Sequence, residues 1–596
     1  MKIIKRGDKA YEEARVGRVF NHRVPDRYPI AIAFPRNAED VATAVKLANT
    51  EGYKIATRAG GHSWAVWSVR DEAILIDLKY FNKIKLNKKN KIVQVQPAVK
   101  GGLELNPFLK KQGLMFAGGH CPTVGVGGFL LQGGQGWNAR GWGWACEQIV
   151  ALDIVTADGE IVRADATQNT DLYWAARGAG PGFFGIVTCF HLKTRIAPKF
   201  MVASTYLYPS RHAQTILKWL QEIHTGISTT VEIVALGQSA PSIEGVEGTD
   251  IPVMIVHVLA FEDTHEAGIE SLKPFDDCPV IDDAYMVRKN YLTTFEEQFA
   301  LQIEANPEGH RWTVNNAWLE GTPEEVSKTI APAFTHLPNP KAFTLWYSMA
   351  PLRPLPDMAF SLQTDIYLAT YVVWKDEKDD ELNKNWVKNT MHHIEPVTAG
   401  QYTGDSDFQV HQRKFVSDTN WEKLKAIQKV RDPNNIFVGY LTSDKDTLNK
   451  NKFVKKMDRQ TFDDYIKRFN EQDMTAFEQY LSPTMKMVNG TLAFEGVQGM
   501  KDHYTKIWKN FTEQLTVEKF VSDDKYLAVQ LWARFTALFD DTESLFGAVK
   551  KGETFDFRGI IMYTLKNGQF EEIKVAYNSF IFTDIHGVEK DLGIPH

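Results

Sequence analysis

The sequence RAGGHSW, residues 58–64, follows the strand-like tripeptide IAT and places a histidine directly after two glycines. Neither glycine carries a Cβ, so the backbone at this point can approach a bulky group closely. A histidine in this position is also common in ordinary turns. The motif alone therefore leaves two interpretations open, a loop that touches a large ligand and a simple turn.

A second glycine-rich stretch, GGHCPTVGVGGFLLQGGQGWNARGWGW, occupies residues 118–144 and contains Cys121. Successive glycines expose backbone N–H groups that can form an anion-binding nest for a pyrophosphate. They also let a backbone lie flat against a planar ring. A set of tight turns is the alternative interpretation of such a run.

A third stretch, GPGFFG at residues 180–185, matches the GxGxxG pattern of dinucleotide-binding folds letter by letter. That fingerprint requires a strand before it and a helix after it. Here the helix-like DLYWAARGAG precedes it and the strand-like IVTCFHLKT follows, which argues against a Rossmann fold. The chain also contains no Gly-Lys dipeptide, which excludes a Walker-type phosphate loop.

The bulk composition limits the possible functions. The chain has 596 residues, 68 Lys and Arg against 74 Asp and Glu, and a net charge of −6, so we expect no nucleic-acid partner. No apolar run is long enough to span a bilayer and no signal-like core opens the chain, which predicts no membrane association and a cytoplasmic location unless a secretion signal was removed. Four cysteines without a CxxC pair predict neither a disulfide framework nor a metal site.

Local patterns predict an α+β fold with several domains. Residues 38–50 carry a helical face, and the first third alternates short helices and strands. The lysine-rich segment at 445–457 is typical of a linker. Beyond it, residues 461–481 have helical spacing, whereas 526–539 and 557–565 are strand-like. We predict a first domain at 1–200 completed by 410–445, a second at 200–410, and a third at 458–596.

Taken together, RAGGHSW, CPTVGVGG and the long stretch DIVTADGEIVRADATQNTDLYWAARGAGPGFFGIVT resemble the vanillyl-alcohol-oxidase superfamily, and within it the berberine-bridge-enzyme-like branch. The resemblance covers about residues 25–200 and 395–441. It implies a PCMH-type FAD-binding domain followed by a substrate domain built on an antiparallel sheet. It also implies FAD as the cofactor.

The resemblance implies that FAD is attached twice. A histidine placed like His62 bonds the 8α-methyl group of the flavin, and a cysteine placed like Cys121 bonds its C6 atom. The chemistry is reasonable, because the 8α-methyl group can lose a proton to give an electrophilic quinone methide that a neutral imidazole attacks. A thiolate can add to the electron-poor ring at C6. A turn residue and a small buried thiol are the alternatives.

Other residues match the family's cofactor contacts. Val124 matches a position beside the flavin that is often valine in members that use oxygen, which favours an oxidase with O₂ as electron acceptor over a dehydrogenase. The remaining expected FAD contacts are Arg58, Gly60, Gly61 and Ser63 at the pyrophosphate, Gly125, Gly128, Gly133, Gly134, Gly136 and Trp137 across from them, and Gly185, Ile186 and Val187 near the adenine.

The catalytic end departs from the family. A Tyr-x-Asn-Tyr type motif is usual there, but this chain has GQYTGDSDF at 400–408, with Gly404 in place of the asparagine. Tyr402 is the predicted base for a substrate hydroxyl, unless it only packs at a domain seam. Asp405 is the second candidate, either as the group that takes the proton from Tyr402 or as a turn residue. Asp365 is a weaker candidate, and we expect Tyr440 to face the flavin ring.

The tail, residues 458–596, resembles the SnoaL-like or nuclear-transport-factor-like cone by its pattern of helices followed by strands. Such cones bury a pocket that serves as a cyclase or isomerase site, or they only bind or dimerise. A homodimer through this domain is therefore a possible assembly. Polar residues that would line the pocket are Asp463, His503, Arg558 and Tyr577.

The function predicted from these features is an FAD-dependent oxidation of a small molecule. The first hypothesis is oxidation of a sugar or of a secondary or phenolic alcohol by O₂, giving a carbonyl product and H₂O₂. The second is tailoring of a polycyclic, polyketide or alkaloid metabolite, with the tail acting in cyclisation or substrate binding. The third is a flavin-holding protein without turnover. Trp312, Trp318 and Trp346 are candidates for stacking on either kind of substrate.

Overall fold

The computed structural model describes residues 1–71, 73–440, 457, 459–490, 492–523, 525–566 and 569–594. The chain divides into two compact units, Met1–Ser443 and Asp444–His596. Each unit has its own sheets and its own buried core. The predicted linker at 445–457 lies outside the described residues except for Met457.

The first sheet of unit one positions the RAGGHSW loop. Its strands follow the order Lys2–Lys5, Ala31–Phe34, Ala73–Asp77, Lys54–Arg58, and the last three run parallel. The crossover helix Ala38–Glu51 begins after Asn37, whose side chain accepts a hydrogen bond from the Asp40 N–H, and ends at Gly52 in the left-handed region. The loop therefore starts where the strand Lys54–Arg58 ends.

A second, antiparallel sheet carries the stretch that follows GPGFFG. Its strands are ordered Ile84–Asn87, Ile92–Val95, Ile186–Lys193, Ile149–Val155, Ile161–Asp165. The helix Thr170–Ala175 precedes the glycines and the strand Ile186–Lys193 follows them. This order is the reverse of the dinucleotide fingerprint, as the sequence predicted.

The third sheet of unit one has eight antiparallel strands and faces the glycine loops. Its order is Met286–Thr293, Phe200–Pro209, Ile251–Glu262, Val231–Ala240, Phe343–Ser348, Ile366–Trp374, Arg311–Leu319, Thr398–Gly400. Side chains of this sheet and of its helices form a large apolar core. A short pair, Leu114–Met115 with Arg195–Ile196, lies beside the sheets.

The other α-helices of this unit complete the layers around the sheets. They are Tyr11–Val16, Asn106–Lys110, Val126–Leu131, Ala139–Trp142, Ala213–Ile223, His265–Leu272, Phe295–Ala305, Pro323–Thr335, Asp380–His393 and Asp418–Arg431. After the last of these the chain returns to the first sheet, where Ile55 N–H donates to the Ile436 carbonyl and Val438 N–H donates to the Ile55 carbonyl.

Unit two has helices on one curved sheet. The helices are Arg459–Asn470, Thr475–Tyr480 and Gly496–Asn510. The strands follow the order Leu492–Glu495, Leu481–Asn489, Gln569–Thr583, Thr554–Lys566, Tyr526–Ala537, Phe511–Ser522, with Glu589–Asp591 on Gln569–Thr583 and a separate hairpin of Asp541–Ser544 and Gly547–Val549. The predicted α+β class is confirmed for both units. In the described part of the chain, no helix combines the length and apolar character needed to cross a membrane.

Candidate functional site

A cavity of about 820 Å³ opens between the glycine loops and the eight-stranded sheet of unit one. One end is lined by residues from 55–63, 119–137 and 180–190, and the other by strands of the sheet. A cavity of this size is in the range that proteins use for cofactors and small ligands.

The two glycine motifs meet at the cavity wall. A Cβ at Gly60 would lie 2.7 Å from the backbone nitrogen of Gly125, and a Cβ at Gly61, where φ is +81°, would overlap the Arg18 carbonyl. The glycines of RAGGHSW therefore allow a close approach to other backbone segments. This contact holds His62 at a fixed place beside the stretch that carries Cys121.

His62, Thr123 and Cys121 form a row on this wall. The Thr123 Oγ1 atom is 3.0 Å from His62 Nε2 and 3.4 Å from Cys121 Sγ. The His62 ring also stacks on Phe20, with ring centroids 4.4 Å apart. Sequence spacing alone gave no sign of the linking threonine.

Burial shifts the pKa values of the two nucleophiles in opposite directions. Burial, helped by the charge of Lys100, lowers the pKa of His62 to about 4, so the imidazole is neutral at pH 7. Burial raises the pKa of the Cys121 thiol, and the hydrogen bond with Thr123 works in the opposite direction. His62 is therefore ready to act as a nucleophile, whereas Cys121 must first lose a proton.

Arg58 lines the cavity, and other groups of the protein already hold its guanidinium group. It is 2% exposed, pairs with Asp77 at 2.7 Å and donates to the carbonyls of Ala14 and Arg15. Asp77 also pairs with Arg18. This network anchors the strand from which the loop departs, and the contact between Arg58 and a pyrophosphate stays a prediction.

Most other expected FAD contacts do line the cavity, although three glycines do not. Gly134 donates its N–H to the Tyr402 hydroxyl, and a Cβ at Gly133 would meet the Phe360 ring. Gly136 lies against the Ala117 carbonyl. The residues of the prediction that line the cavity are Arg58, Gly60, Gly61, His62, Ser63, Cys121, Val124, Gly125, Gly128, Trp137, Gly185, Ile186 and Val187.

Tyr440 lies outside the described cavity lining, and the expectation that it faces the flavin ring stays a prediction. Its hydroxyl donates to the Ala179 carbonyl, and its ring packs on Phe415 and Trp421. A Cβ at Gly182 would overlap this ring. Tyr440 therefore supports the 180–182 turn from behind.

Tyr402 lines the cavity, and a backbone N–H group holds its hydroxyl. Its hydroxyl accepts a hydrogen bond of 3.0 Å from the Gly134 N–H, and burial raises its pKa far above the ordinary value. A Cβ at residue 404 would overlap the Tyr402 ring. The glycine that replaces the family's asparagine therefore leaves room for the tyrosine ring in this position.

Asp405 connects the RAGGHSW motif to the central sheet. It accepts hydrogen bonds from Trp64 Nε1 at 3.1 Å and from the Tyr367 hydroxyl at 2.9 Å. Tyr371 lines the same part of the cavity. Burial, and then the charge of Asp405, raises the pKa of both Tyr367 and Tyr371 well above the usual value. A carboxylate hydrogen-bonded to a phenol is an arrangement that can receive a proton.

A buried polar cluster on the sheet was missed from the sequence. Glu232, 2% exposed, accepts hydrogen bonds from the Tyr347 hydroxyl at 2.9 Å and the Asn138 N–H at 2.5 Å, and lies 3.0 Å from His120 Nε2. Burial acts to raise the pKa of Glu232, but His120 and these hydrogen bonds lower it overall.

His257, also missed, lies on the adjacent strand. Its Nδ1 is 2.9 Å from Thr205 Oγ1, which is in turn 2.9 Å from the Tyr291 hydroxyl. Its Nε2 is buried without a hydrogen-bond partner among the described residues, and the side chain lines the cavity. Burial lowers its pKa, which favours the neutral ring, and the tautomer then decides whether Nε2 donates or accepts a hydrogen bond.

Other candidates from the sequence lie elsewhere. Asp365 is outside the described cavity lining, and burial raises its pKa. Trp312, Trp318 and Trp346 are fully buried in the core and do not line the cavity, so the expected stacking on substrate is wrong for all three.

Three residues of types that can bind a metal ion lie close together on the second sheet, with their ligand atoms within 4.8 Å of one another. They are Asp153, Cys189 and His191. The Arg163 guanidinium lies 3.3 Å from His191 Nε2 and 3.6 Å from Asp153. It already supplies positive charge at this place, so the group is an ion-pair cluster on the second sheet.

Comparison with known proteins identifies the class. Residues 29–165 match the family model described as an FAD binding domain, and residues 462–573 match a SnoaL-like domain. The chain is 36% identical to FAD-linked oxidoreductase nodO of Hypoxylon pulicicidum over 440 residues, which is 73% of this chain and 95% of that protein. It is 34% identical to FAD-linked oxidoreductase penO of Penicillium crustosum over 430 residues, which is 72% of this chain and 93% of that protein.

Solved structures agree with the fold. Physcomitrella patens BBE-like 1 superposes with a TM-score of 0.64 at 19% identity, covering 74% of this chain and 96% of that one. Xylooligosaccharide oxidase from Myceliophthora thermophila, in complex with xylobiose, gives 0.61 at 21% identity, covering 73% and 95%. The fold and the matches define an FAD-dependent oxidoreductase with a PCMH-type domain. The chain belongs to the family of FAD-linked oxidoreductases with a berberine-bridge-enzyme-like fold, and it carries a SnoaL-like domain in addition. We therefore conclude that the chain is an enzyme rather than a flavin-holding protein without turnover.

The residues of the cavity fit FAD. The loops at Gly60 and Gly125 leave no room for side chains, so backbone rather than side chains forms this part of the wall. A neutral imidazole and a thiol lie on the same wall. These groups suit a planar cofactor that lies flat along the wall.

Proposed function

We propose that this oxidoreductase binds FAD through two covalent bonds, from His62 and from Cys121, and oxidises a hydroxyl-bearing small molecule to a carbonyl product. The observation that carries the proposal is the row of His62, Thr123 and Cys121 on the cavity wall. FAD, when bound there, would accept a hydride from the substrate carbon and return the electrons to O₂, giving H₂O₂.

Thr123 has a role in this proposal because it touches both nucleophiles. Its hydroxyl orients the His62 ring through Nε2, and its hydrogen bond with Cys121 opposes the rise in the Cys121 pKa that burial causes. The burial that keeps His62 neutral preserves the lone pair needed for attack. Val124, which follows it and lines the cavity, stays our reason for favouring O₂ as the acceptor.

The substrate proton needs an acceptor inside the cavity. We assign this role to Asp405, acting through the hydroxyl of Tyr367 at 2.9 Å. Tyr402 stays the second candidate, since its hydroxyl faces a backbone N–H, which would stabilise a phenolate. His257 Nε2 and the Glu232 cluster lie across the cavity, where they can hold a second polar group of the substrate.

A specific observation favours the second substrate class, an apolar polycyclic or phenolic metabolite, over a sugar. The apolar side chains that the sheet presents to the cavity are Val234, Leu236, Ile255, Phe343 and Leu345. Sugar hydroxyls that faced these five side chains would find no hydrogen-bond partner in them. An apolar ring with one oxidisable hydroxyl fits it better.

The homodimer through unit two also stays a proposal. The outward side chains of Ile560 and Met562, on the strand Thr554–Lys566, are 49% and 44% exposed. Exposed apolar side chains on one sheet face are typical of contact surfaces. Sedimentation of the full chain and of an I560E/M562E variant tests this, and a monomeric wild-type protein would contradict it.

Two experiments test the proposed chemistry. Acid-denatured protein on a gel should keep flavin fluorescence in the wild type and in H62A and C121A, and lose it in the double variant. Anaerobic mixing with sugars, secondary alcohols and phenolic or polycyclic alcohols should bleach the flavin with the apolar class, and air should restore the colour rapidly. A flavin released from wild-type protein by acid would contradict double attachment, and bleaching by sugars alone would contradict the apolar substrate.

A further inference from the structure

One titratable side chain on the cavity wall takes no part in the proposed transfer of hydride and proton. His120 precedes Cys121, its side chain is 25% exposed, and it lines the cavity of unit one. Its ring packs on Trp137, with ring centroids 4.2 Å apart, and stands edge-on to Tyr347. These aromatic contacts hold the plane of the imidazole, so each of its two nitrogen atoms has defined surroundings.

Glu232 decides which of the two nitrogen atoms carries the hydrogen. Its side chain is buried, and its Oε1 lies 3.0 Å from His120 Nε2. Its Oε2 accepts hydrogen bonds from the Asn138 N–H at 2.5 Å and the Tyr347 hydroxyl at 2.9 Å. Burial acts to raise the pKa of Glu232, but His120 and these hydrogen bonds lower it overall, so the group is ionised. An ionised carboxylate can only accept, so His120 Nε2 must hold a hydrogen and donate it.

The other nitrogen of the ring, His120 Nδ1, is left for a ligand. Among the residues that the structure describes, none forms a hydrogen bond with this atom. When the ring is neutral and its hydrogen is on Nε2, the lone pair lies on Nδ1, which is then an acceptor. Its partner must therefore supply an O–H or an N–H group.

Two carboxylates of the cavity wall hold neighbouring tyrosines. Tyr347 and Tyr367 are register partners in adjacent strands of the eight-stranded sheet. Their hydroxyls donate to Glu232 and to Asp405, respectively. The strands of Glu232 and Tyr367 lie on either side of the strand of Tyr347, so they are two strand spacings, roughly 10 Å, apart. A fused ring system spans such a distance, so one molecule can reach both places.

The wall beside His120 suits an uncharged molecule. Val234 and Leu236 follow Glu232 along its strand and line the cavity with it. Among the described residues of the lining, Arg58 is the one lysine or arginine, and its guanidinium pairs with Asp77. An anionic ligand would meet an ionised Glu232 and no free cation, whereas an uncharged donor meets an acceptor.

We propose that His120 selects substrates that carry a second O–H or N–H group, which donates a hydrogen bond to Nδ1, and that Glu232 is the residue that positions the ring. This inference rests on the proposed oxidation of a ring alcohol beside Tyr367 and Asp405, and it names a further feature of that substrate. The substrate class is an uncharged fused-ring alcohol whose second donor group lies about two strand spacings from the oxidised hydroxyl.

Three naphthalenes test this selection on the oxidised, flavin-loaded full chain at pH 8, with binding read from the change in flavin absorbance. 2-Naphthol carries a donor, whereas 2-methoxynaphthalene and 2-acetylnaphthalene carry acceptors only. The wild type should bind 2-naphthol about tenfold more tightly than the other two, the effect of one hydrogen bond in a dry site. H120L should bind all three with similar affinity. D405N, which alters the other carboxylate of the wall, is the matched control and should keep the preference.

E232Q separates the positioning role of Glu232 from a structural one. The Asn138 N–H needs an acceptor, so the glutamine oxygen should take the place of Oε2 and its NH₂ group should face His120. His120 Nε2 then accepts, and Nδ1 carries the hydrogen. E232Q should therefore lose the preference for 2-naphthol and bind 2-acetylnaphthalene about tenfold more tightly than the wild type does. Loss of packing alone would weaken the binding of all three probes.

Four results would overturn the proposal. These are equal affinity of the wild type for 2-naphthol and 2-methoxynaphthalene or no binding of either, an undiminished preference in H120L, a preference lost in D405N, and an unchanged preference in E232Q. Failure of the proposed oxidation is a separate result, because it appears as missing flavin or missing bleaching, whereas probe binding needs no turnover. Circular dichroism checks the fold of each variant, and either H120L or E232Q suffices for the test if the other is unstable.

Discussion

At the scale of single residues, Gly404 shows how one missing side chain sets the geometry of the catalytic end. A Cβ here would overlap the Tyr402 ring. We predict that G404N, which restores the family's asparagine, destabilises the protein by about 1–3 kcal/mol, the usual cost of overpacking. Thermal unfolding measures the effect. In a Y402A background, G404N should cost much less stability than it does in the wild type. An equal cost in both backgrounds would mean that the clash lies elsewhere.

The roles of Asp405 and Tyr402 can be separated by their conservative variants. If Asp405 receives the substrate proton through Tyr367, D405N should lower the rate of anaerobic flavin reduction about 100-fold or more. Y402F should lower it much less, because burial raises the pKa of Tyr402 far above its ordinary value. Rapid-mixing absorbance gives both rates. The reverse order of the two effects would make Tyr402 the base.

Residue by residue, the sequence pointed to the residues proposed to hold the flavin more readily than to the polar residues across the cavity. His62 and Cys121 stand in glycine-rich loops, and such loops have a recognisable local signal. Glu232 and His257 are single polar residues inside apolar strands, with no local signal of their own. They share the cavity only because the strands Val231–Ala240 and Ile251–Glu262 are neighbours in the sheet, and that pairing is not visible in the sequence.

At the scale of elements, the loop from Arg58 to His62 depends on its close contact with other backbone segments. G61A should both distort this loop and weaken flavin attachment, because the added methyl group meets the Arg18 carbonyl and φ is +81°. G52A is the matched control. Its φ is +72° but nothing lies within 4 Å, so it should cost only the about 1–2 kcal/mol of a left-handed residue and keep the flavin. Equal flavin contents in the two variants would contradict this.

Helices were predicted well where capping and periodicity agreed. The face of Val41, Ala44, Val45 and Ala48 is buried in the helix Ala38–Glu51, as its spacing indicated. The predicted helix at 461–481 is divided into two, because Gln472 adopts a left-handed φ of 58° and Asp473 accepts a hydrogen bond from the Thr475 N–H. A short Asp-x-Thr turn of this kind interrupts a helix without changing its apolar period.

At the scale of the whole molecule, buried histidines make unit one sensitive to acid. Burial lowers the pKa of His224 to about 4, so between pH 6.5 and 4 the unfolded chain binds a proton that the folded one does not. Stability should therefore fall as pH falls through this window, by on the order of 3 kcal/mol for this group, and be constant above it. Thermal midpoints at pH 7, 5.5 and 4.5 measure the trend. H224Q should flatten it and the exposed control H393Q should not, whereas equal slopes would exclude His224 as a contributor.

Each of the two units should also fold without the other. Unit two has its own aromatic core, which runs from Met457 and Phe462 to Phe570 and Ile573, and unit one holds the proposed flavin site within its own sheets. Domains of about 100–150 residues with a core of this kind generally fold alone. A chain ending at Ser443 should therefore keep its covalent flavin and its rate of anaerobic bleaching. A fragment starting at Met457 should unfold in one cooperative transition, with the same change in the spectrum of its aromatic core as in the full chain. Loss of flavin from the shortened chain would instead mean that the oxidoreductase site needs the SnoaL-like unit to form.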